Sequence, residues 1–218
     1  IQEVYEKLGI KINIISGEDE AYLSFLGATY NRDQDLKSLV IDIGGGSTEI
    51  IIGKNNLIQF KKSFQLGVVT LTEKYIKQYP VEKNILIKLS EEIDNILSGY
   101  SFIQNIDISI AIAGTPTTLA CLKNNLTKYE EEKIEGEKLT KSDLQNFINV
   151  LSSKSIEQIK SDYGEVVKGR EDLLLTGTII LFNIINKFSL DKVIVSIKSL
   201  RHGVIIQYAL KIFQENKN

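Results

Sequence analysis

Residues 40–53 constrain this chain more than any other segment, because they place one acid and three consecutive glycines between two apolar, β-branched stretches. Residues 39–43 are typical of a buried strand. Gly44, Gly45 and Gly46 permit a tight turn whose main-chain N–H groups can closely approach a ligand. The segment is therefore either a simple hairpin turn or the phosphate-binding loop of an active site.

The residues after the glycines exclude the helix-based nucleotide motifs. Dinucleotide and P-loop sites need a helix that begins at the loop, so that its N-terminus meets the phosphate. Here residues 49–53 are a second β-branched run, 54–56 predict a turn, and 57–64 predict a third extended segment. No lysine follows the glycines, and Glu49 stands where a third spaced glycine would be required.

Asp42 lies directly before the turn, where its charge would repel a phosphate unless a cation intervened. Mg²⁺ prefers a few carboxylates together with phosphate oxygens and water, which an acid beside such a loop supplies. An ordinary alternative is an acid that accepts hydrogen bonds from the N–H groups of its own turn. The residue types alone leave both interpretations open.

Three further motifs accompany residues 42–49, DIGGGSTE: ISGEDEA at 15–21, AGTPTTLA at 113–120 and SLRHGV at 199–204. Together they resemble the exopolyphosphatase and guanosine pentaphosphatase (Ppx/GppA) family, over almost the whole chain. The resemblance implies an α/β, actin-like (ribonuclease H-like) fold with a mixed sheet flanked by helices. It also implies Mg²⁺-dependent hydrolysis of terminal phosphates from inorganic polyphosphate or guanosine pentaphosphate.

The family carries a first phosphate loop, Asp-x-Gly-Ser-like, in an N-terminal domain, and no such peptide occurs in these 218 residues. We therefore expect residues 1–24 to be the tail of that domain with a connector helix, and 25–218 to be a C-terminal domain that carries the second phosphate loop. Residues 2–8 predict a helix and 11–15 a strand. We expect the 218 residues alone to be nearly inactive.

The resemblance assigns Glu20 as the acid that positions or deprotonates the attacking water. Acids in a first helical turn are also favoured simply by the helix dipole, so residues 18–20 could be ordinary solvated residues. Asp42 matches the acid of the second phosphate loop and the metal ligand, and Glu49 the acid that follows. The implied phosphate-binding residues are Gly44, Gly45, Gly46, Ser47 and Thr48.

Two other segments offer candidates for nucleotide or phosphate binding. Residues 106–113 predict a strand and 116–123 a helix with Pro116 in its first turn, which places Gly114 and Thr115 in a strand-to-helix turn. That turn could equally be structural, with glycine for a positive φ and threonine as a cap. Arg201 follows a strand predicted at 192–197 and precedes a helix predicted at 204–213, and its guanidinium suits bidentate phosphate binding.

The remaining segments predict scaffold. Apolar stripes indicate helices at 82–97 and after a capping pattern at Thr140, and residues 170–187 predict a largely buried helix. Residues 124–138 are polar and charged and predict a solvated loop.

Composition limits the remaining functions. A net charge of −2 argues against general nucleic-acid binding, and no run reaches the roughly 18 apolar residues of a membrane span. The single Cys121, predicted to be buried, excludes an internal disulfide, and the single His202 is expected at the surface. We expect a cytoplasmic protein, with a homodimer as a candidate assembly. Because the net charge is negative, an anionic substrate must be attracted by positive charges at the site itself. The candidates are Mg²⁺ and cations such as Lys61, Lys62, Lys168 and Arg201.

Two alternatives to hydrolysis remain. A catalytically silent module that binds phosphate or an alarmone is consistent with the missing first loop. A small-molecule kinase of the same superfamily fits less well, because the motifs at 15–21 and 199–204 match the phosphatases specifically.

Overall fold

The computed structural model describes residues 2–100 and 105–215 of the 218-residue chain. Within them, six strands form one sheet: β1 (Ser38–Ile43), β2 (Thr48–Lys54), β3 (Leu57–Phe64), β4 (Ile108–Ile112), β5 (Lys138–Thr140) and β6 (Lys192–Val195). The helices are α1 (Gln2–Leu8), α2 (Gly17–Thr29), α3 (Val68–Tyr75), α4 (Lys83–Ser98), α5 (Gly114–Lys123), α6 (Glu131–Ile134), α7 (Lys141–Ser152), α8 (Ile156–Tyr163), α9 (Leu174–Lys187) and α10 (Leu200–Glu215), with a 3₁₀ turn at Gly164–Val167.

The sheet is mixed, with the strand order β3-β2-β1-β4-β6-β5. β1, β4 and β6 are parallel, whereas β2, β3 and β5 pair antiparallel with their neighbours. The carboxyl ends of β1, β4 and β6 therefore lie at one edge, and the segments that follow them converge there. This arrangement, with helices on both faces, confirms the predicted actin-like fold class.

Successive residues of β1 point to opposite faces of the sheet, and each face has its own core. Leu39, Ile41 and Ile43 belong to the larger core, which α3, α4, α5, α7 and α9 cover. Val40 belongs to the smaller core, together with Ile51 and residues of α2. Asp42 has the same parity as Val40, so its side chain lies on the α2 face.

The predicted hairpins at 39–64 are confirmed. Asn55 and Asn56 connect β2 and β3 with φ values of 53° and 59°. Two consecutive positive φ angles are those of a type I′ turn, which matches the right-handed twist of the flanking strands and which asparagine tolerates.

Three sequence expectations are wrong in detail. Residues 11–15 form no strand, and Ile12 and Ile14 are exposed. Apolar residues form a stable strand only beside a hydrogen-bonding partner strand. The segment 124–138 is not all loop, since it contains α6 and ends in β5. Arg201 and His202 lie inside the first turn of α10, which begins four residues before the predicted start.

α2 is continuous across residues 24 and 25, where we expect a domain boundary. That boundary stays a prediction. Ile1 and residues 101–104 and 216–218 lie outside the described residues. No helix of the described part has the length and apolar character needed to cross a membrane.

Candidate active site

The β1–β2 hairpin sets two acids side by side. Asp42 and Glu49 are register partners in the antiparallel pair, so their side chains share a face of the sheet. That face is the one on which α2 packs. Val40 and Ile51 lie two residues before Asp42 and two residues after Glu49 along their strands, so they share this face. Both belong to the smaller core together with Ala21 and Phe25 of α2. The hairpin therefore presents both carboxylates towards the first turn of α2.

Glu20 completes this group of acids. Burial, together with the negative charges of Glu49 and then Glu20, raises the pKa of the Asp42 carboxyl from 3.8 to about 6. Glu20 itself is exposed, in the first turn of α2. The structure thus brings together the three acids that the sequence assigned to catalysis, although their roles stay predictions.

The first turn of α2 is held by its cap. The Ser16 hydroxyl accepts a hydrogen bond from the Asp19 N–H at 3.1 Å and donates one to the Asp19 carboxylate at 2.7 Å. Glu18 forms an ion pair with Lys61 of β3 at 2.9 Å. Of the three consecutive acids, two are thus engaged with the protein, and Glu20 is the one whose charge acts on Asp42.

The glycine loop leaves main-chain donors available. The Gly44 N–H donates to Ser47 O at 2.8 Å, which closes the turn. In the part of the chain that the structure describes, no acceptor takes up the N–H groups of Gly45 or Gly46. Both residues are exposed. These amides are therefore available as hydrogen-bond donors, and their role in phosphate binding stays a prediction.

The two hydroxyls of the predicted phosphate loop are already bound. Ser47 donates to Glu49 Oε1 at 2.7 Å, and the buried Thr48 donates to Leu66 O at 2.5 Å. Ser63 of β3, which the sequence analysis did not single out, also donates to Glu49 Oε1 at 2.7 Å. Ser47 and Ser63 therefore fix Glu49, and Thr48 fixes the end of the loop.

The turn after β4 is strained. Ala113 has φ 74° and ψ −164°, a conformation that glycine adopts readily and other residues do not. Gly114 follows, and the guanidinium of Arg170 lies so close that a Cβ at Gly114 would overlap it. Thr115 is buried against Gly177 of α9, which has no side chain to displace it. Gly114 thus lies against the guanidinium of Arg170, and Thr115 packs against α9.

Arg170 is a candidate that sequence reasoning missed. Its side chain forms no ion pair with any residue in the described ranges, and the residue is exposed. It precedes α9, whereas the sequence pattern placed it at the start of a helix predicted over 170–187. Its contact with Gly114 joins positions 56 residues apart. No local signal could have found it, because only the fold brings the two segments together.

The other predicted cations have protein partners. Arg201 is 69% exposed and lies 3.7 Å from Glu131 of α6, and Lys168 pairs with Glu165 at 3.0 Å. Lys62 lies over the ring of Tyr100. Lys61 and Lys62 line a cleft of 360 Å³ together with Glu49. His202 is half-buried, and its Nδ1 accepts a hydrogen bond from the Ser199 N–H.

The acids fit a divalent cation that is shared with a ligand. Among residues 2–100 and 105–215, no three His, Cys, Asp or Glu side chains form a metal cluster by themselves. Mg²⁺, however, is commonly held by one or two carboxylates plus phosphate oxygens and waters. The causes that act on the pKa of Asp42 all raise it, so a nearby cation would relieve an uncompensated repulsion. Asp42 as a metal ligand stays a prediction.

Comparison with known proteins gives relatives over nearly the whole chain. The chain is 34% identical over 217 residues to a bifunctional 3-dehydroquinate synthase/phosphatase from Fusobacterium nucleatum, covering 95% of this chain and 32% of that protein. It is 31% identical to a guanosine-5′-triphosphate,3′-diphosphate pyrophosphatase from Pseudoalteromonas translucida, covering 91% and 39%. It is 25% identical to exopolyphosphatase 2 from Mycobacterium tuberculosis, covering 92% and 65%. The chain thus spans less than two thirds of each relative.

The fold has a close match among solved structures. The crystal structure of the Aquifex aeolicus member of the Ppx/GppA family superposes with a TM-score of 0.88 at 28% identity, covering 96% of this chain and 68% of that one. Residues 1–212 match the family described as the Ppx/GppA phosphatase family. Sequence, topology and the acidic hairpin agree, and the chain belongs to the Ppx/GppA phosphatase family.

Proposed function

We propose that this chain carries the catalytic hairpin of a Mg²⁺-dependent phosphoanhydride hydrolase in the cytoplasm. The substrates that the family relationship suggests are inorganic polyphosphate and guanosine pentaphosphate, since relatives are named for activity on each. One observation carries the proposal: a partly buried carboxyl, Asp42, with a pKa raised to about 6, stands beside Glu49, Glu20 and a glycine loop with free amides.

Asp42 and Glu49 are the residues that would hold the cation. Mg²⁺ bound there would neutralise phosphate charge and so make the phosphorus accessible to a nucleophile. Glu49 is fixed by Ser47 and Ser63, so its second carboxylate oxygen remains for an outside partner. Burial keeps the carboxyl of Asp42 in a region of low dielectric, where its attraction for a cation is strong.

Glu20 suits the handling of the attacking water. Its exposed carboxylate belongs to the same electrostatic group as Asp42 but comes from a different element, so it can stand across a bound phosphate from the hairpin. An ionised carboxylate orients water and accepts its proton. We assign Glu20 as the general base.

The loop amides and Arg170 would hold the phosphate chain. Gly45 and Gly46 offer N–H donors after β1, and Arg170 lies against Gly114 after β4. β1 and β4 are parallel neighbours, so both segments lie at the same edge of the sheet. Arginine binds phosphate oxygens in bidentate fashion. The remaining expectations, including a homodimer, the absence of nucleic-acid and membrane partners, and roles for Thr115 and Arg201, stay predictions.

The test is phosphate release from polyphosphate and from guanosine pentaphosphate by the full-length gene product, with Mg²⁺ and with EDTA. We expect Mg²⁺-dependent release from at least one substrate and its loss in Asp42→Asn. Asp35→Asn, which changes an exposed aspartate outside the site, is the matched control. Release that is independent of both Mg²⁺ and Asp42 would refute the proposal, and binding of both compounds without release would favour the silent module.

A further inference from the structure

The first residues of α3 lie directly against the glycine loop. The Val68 N–H donates to Gly44 O at 3.0 Å, and the Val69 N–H donates to Gly45 O at 2.9 Å. The first N–H groups of any helix lack acceptors within the helix. In α3 three of them bind loop carbonyls, since the Thr70 N–H also donates to Gly45 O at 3.4 Å. This helix terminus therefore does not face a ligand directly.

The hydrogen bonds to Gly44 O and Gly45 O determine the direction of the loop amides. A trans peptide is planar, and its C=O and N–H groups point in opposite directions. Because Gly44 O points to Val68, the N–H of Gly45 in the same peptide unit points away from α3. The bond between Gly45 O and Val69 turns the N–H of Gly46 away in the same manner. The two amides without an acceptor are therefore aimed at the open side of the loop.

Gly67 permits this close contact. A Cβ at Gly67 would overlap Gly45 O and the main chain of Gly46. The φ of Gly67 is −97°, which any residue adopts, so it is the lack of space that requires glycine. Any side chain here would push the Gly45–Gly46 peptide away from the helix.

α3 is itself anchored, so it can serve as a fixed support. Leu71 is buried in the larger core. The hydroxyls of Thr72 and of Thr176 in α9 form a buried hydrogen bond of 2.6 Å. The N–H donors that orient the loop thus belong to a helix that is fixed by the larger core and by its hydrogen bond to α9.

We propose that Gly67, Val68 and Val69 are positioning residues that orient the Gly45 and Gly46 amides towards a phosphate ligand. This inference rests on the proposed function only in taking the loop as the anion site. The ligand class is a linear phosphoanhydride, and inorganic tripolyphosphate serves as its probe.

Val68→Pro tests the inference. Proline is favoured at the first position of a helix, and Gly67 already has the extended conformation that a residue before proline requires. The substitution therefore keeps α3, removes the bond to Gly44 O and places the ring where the hydrogen was. Lys83→Pro is the matched control, because it makes the same change at the first position of α4, after an extended Glu82.

The readout is NMR of protein labelled with ¹⁵N-glycine, titrated with tripolyphosphate in the presence of Mg²⁺. We expect the Gly45 and Gly46 resonances to shift on binding in the wild type and in Lys83→Pro. In Val68→Pro we expect binding to be about tenfold weaker or more, because oriented hydrogen bonds to a charged ligand are lost. Equal affinity in the two proline variants, or unshifted Gly45 and Gly46 resonances in the wild type, would overturn the inference.

Gly67→Ala gives a second measurement should Val68→Pro not fold. Its control is Gly99→Ala, where φ is −67° and the nearest atom to an added Cβ lies 4.0 Å away. We expect weaker tripolyphosphate binding only in Gly67→Ala, and equal binding would contradict the inference. Wild-type protein that binds tripolyphosphate through Gly45 and Gly46 but releases no phosphate would refute the proposed function and leave the positioning role intact.

Discussion

Asp42 and Glu49 face each other across the β1–β2 hairpin, where register pairing fixes two negative charges on one face of the sheet. Like charges directly opposite each other in a sheet are destabilising, and burial of Asp42 adds to the cost. Burial and then the charge of Glu49 both contribute to the raised pKa of Asp42. A protein that maintains such a pair has an arrangement suited to a cation rather than to stability.

Asp42→Asn should therefore stabilise the metal-free protein at pH 7. A shift of about two pKa units corresponds to roughly 3 kcal/mol, and because Asp42 is only partly buried we expect about 1–2 kcal/mol. Denaturant unfolding in EDTA measures this value. The exposed Asp35→Asn should leave the free energy of unfolding unchanged within about 0.5 kcal/mol.

The same carboxyl should make stability depend on pH. The folded-state pKa of about 6 lies above the ordinary 3.8, so between these values the folded protein binds more protons than the unfolded chain. The contribution of Asp42 to the free energy of unfolding therefore falls as pH rises from about 4 to about 6, and is constant above that range. Asp42→Asn should lack this component. Identical pH profiles for the wild type and Asp42→Asn would show that Asp42 is not perturbed.

Glu20→Ala should suppress hydrolysis while substrate binding stays largely intact. The carboxylate is assigned to water, and within the described residues no hydrogen bond joins it to the loop amides or to the carboxylates of the hairpin. General-base removal typically costs about 10²–10⁴ in rate. Single-turnover phosphate release measures the rate, and tripolyphosphate titration measures the binding. Glu18→Ala, which alters the same helical turn but removes only the ion pair with Lys61, is the control, and equal turnover in both variants would exclude Glu20 as the base.

Local patterns predicted the hairpin at 39–64 and the capping box of α7 because each depends on neighbouring residues. The Thr140 hydroxyl and Asp143 satisfy each other's N–H groups, as the spacing indicates. The group of Glu20, Asp42 and Glu49 was predicted through the family resemblance. Their common face could not be derived from spacing, since α2 reaches the sheet only through tertiary packing.

The residues that sequence reasoning missed act over long separations. Arg170 contacts Gly114, Ser63 holds Glu49, and Gly67 meets Gly45, and no periodicity connects these positions. The strand expected at 11–15 fails for the opposite reason. Its isoleucines are a local signal for a strand, but a strand forms only where a partner strand supplies hydrogen bonds.

Arg170→Ala should raise the KM for the phosphate substrate about tenfold with a smaller change in kcat. A guanidinium without an ion pair in the described ranges contributes mainly to ground-state binding of an anion, and a charged hydrogen bond accounts for this magnitude. Arg170→Lys should recover only part of the affinity, because lysine cannot bind phosphate in bidentate fashion. Lys168→Ala, an exposed cation paired with Glu165, should leave KM unchanged. An unchanged KM in Arg170→Ala would remove Arg170 from the site.

The crossing of α2 and α10 depends on two glycines, and we expect substitutions there to couple. A Cβ at Gly203 would overlap Leu23 O, and a Cβ at Gly27 would overlap Ser199 O, so each alanine must push the same two helices apart. Each single variant should lose about 1–3 kcal/mol of stability. The double variant should lose less than the sum, because the first separation makes room for the second Cβ.

Thermal and urea unfolding of Gly27→Ala, Gly203→Ala and the double variant measure this coupling, with Gly99→Ala as the control for an added methyl group in open space. α2 carries Glu20, so separation of the helices should also reduce turnover, while tripolyphosphate binding at the loop changes less. Strictly additive losses would mean that the two glycines relieve separate contacts. Unaltered stability in both single variants would mean that the backbones of α2 and α10 are not in contact at these glycines. Packing against α10 would then not be what positions Glu20.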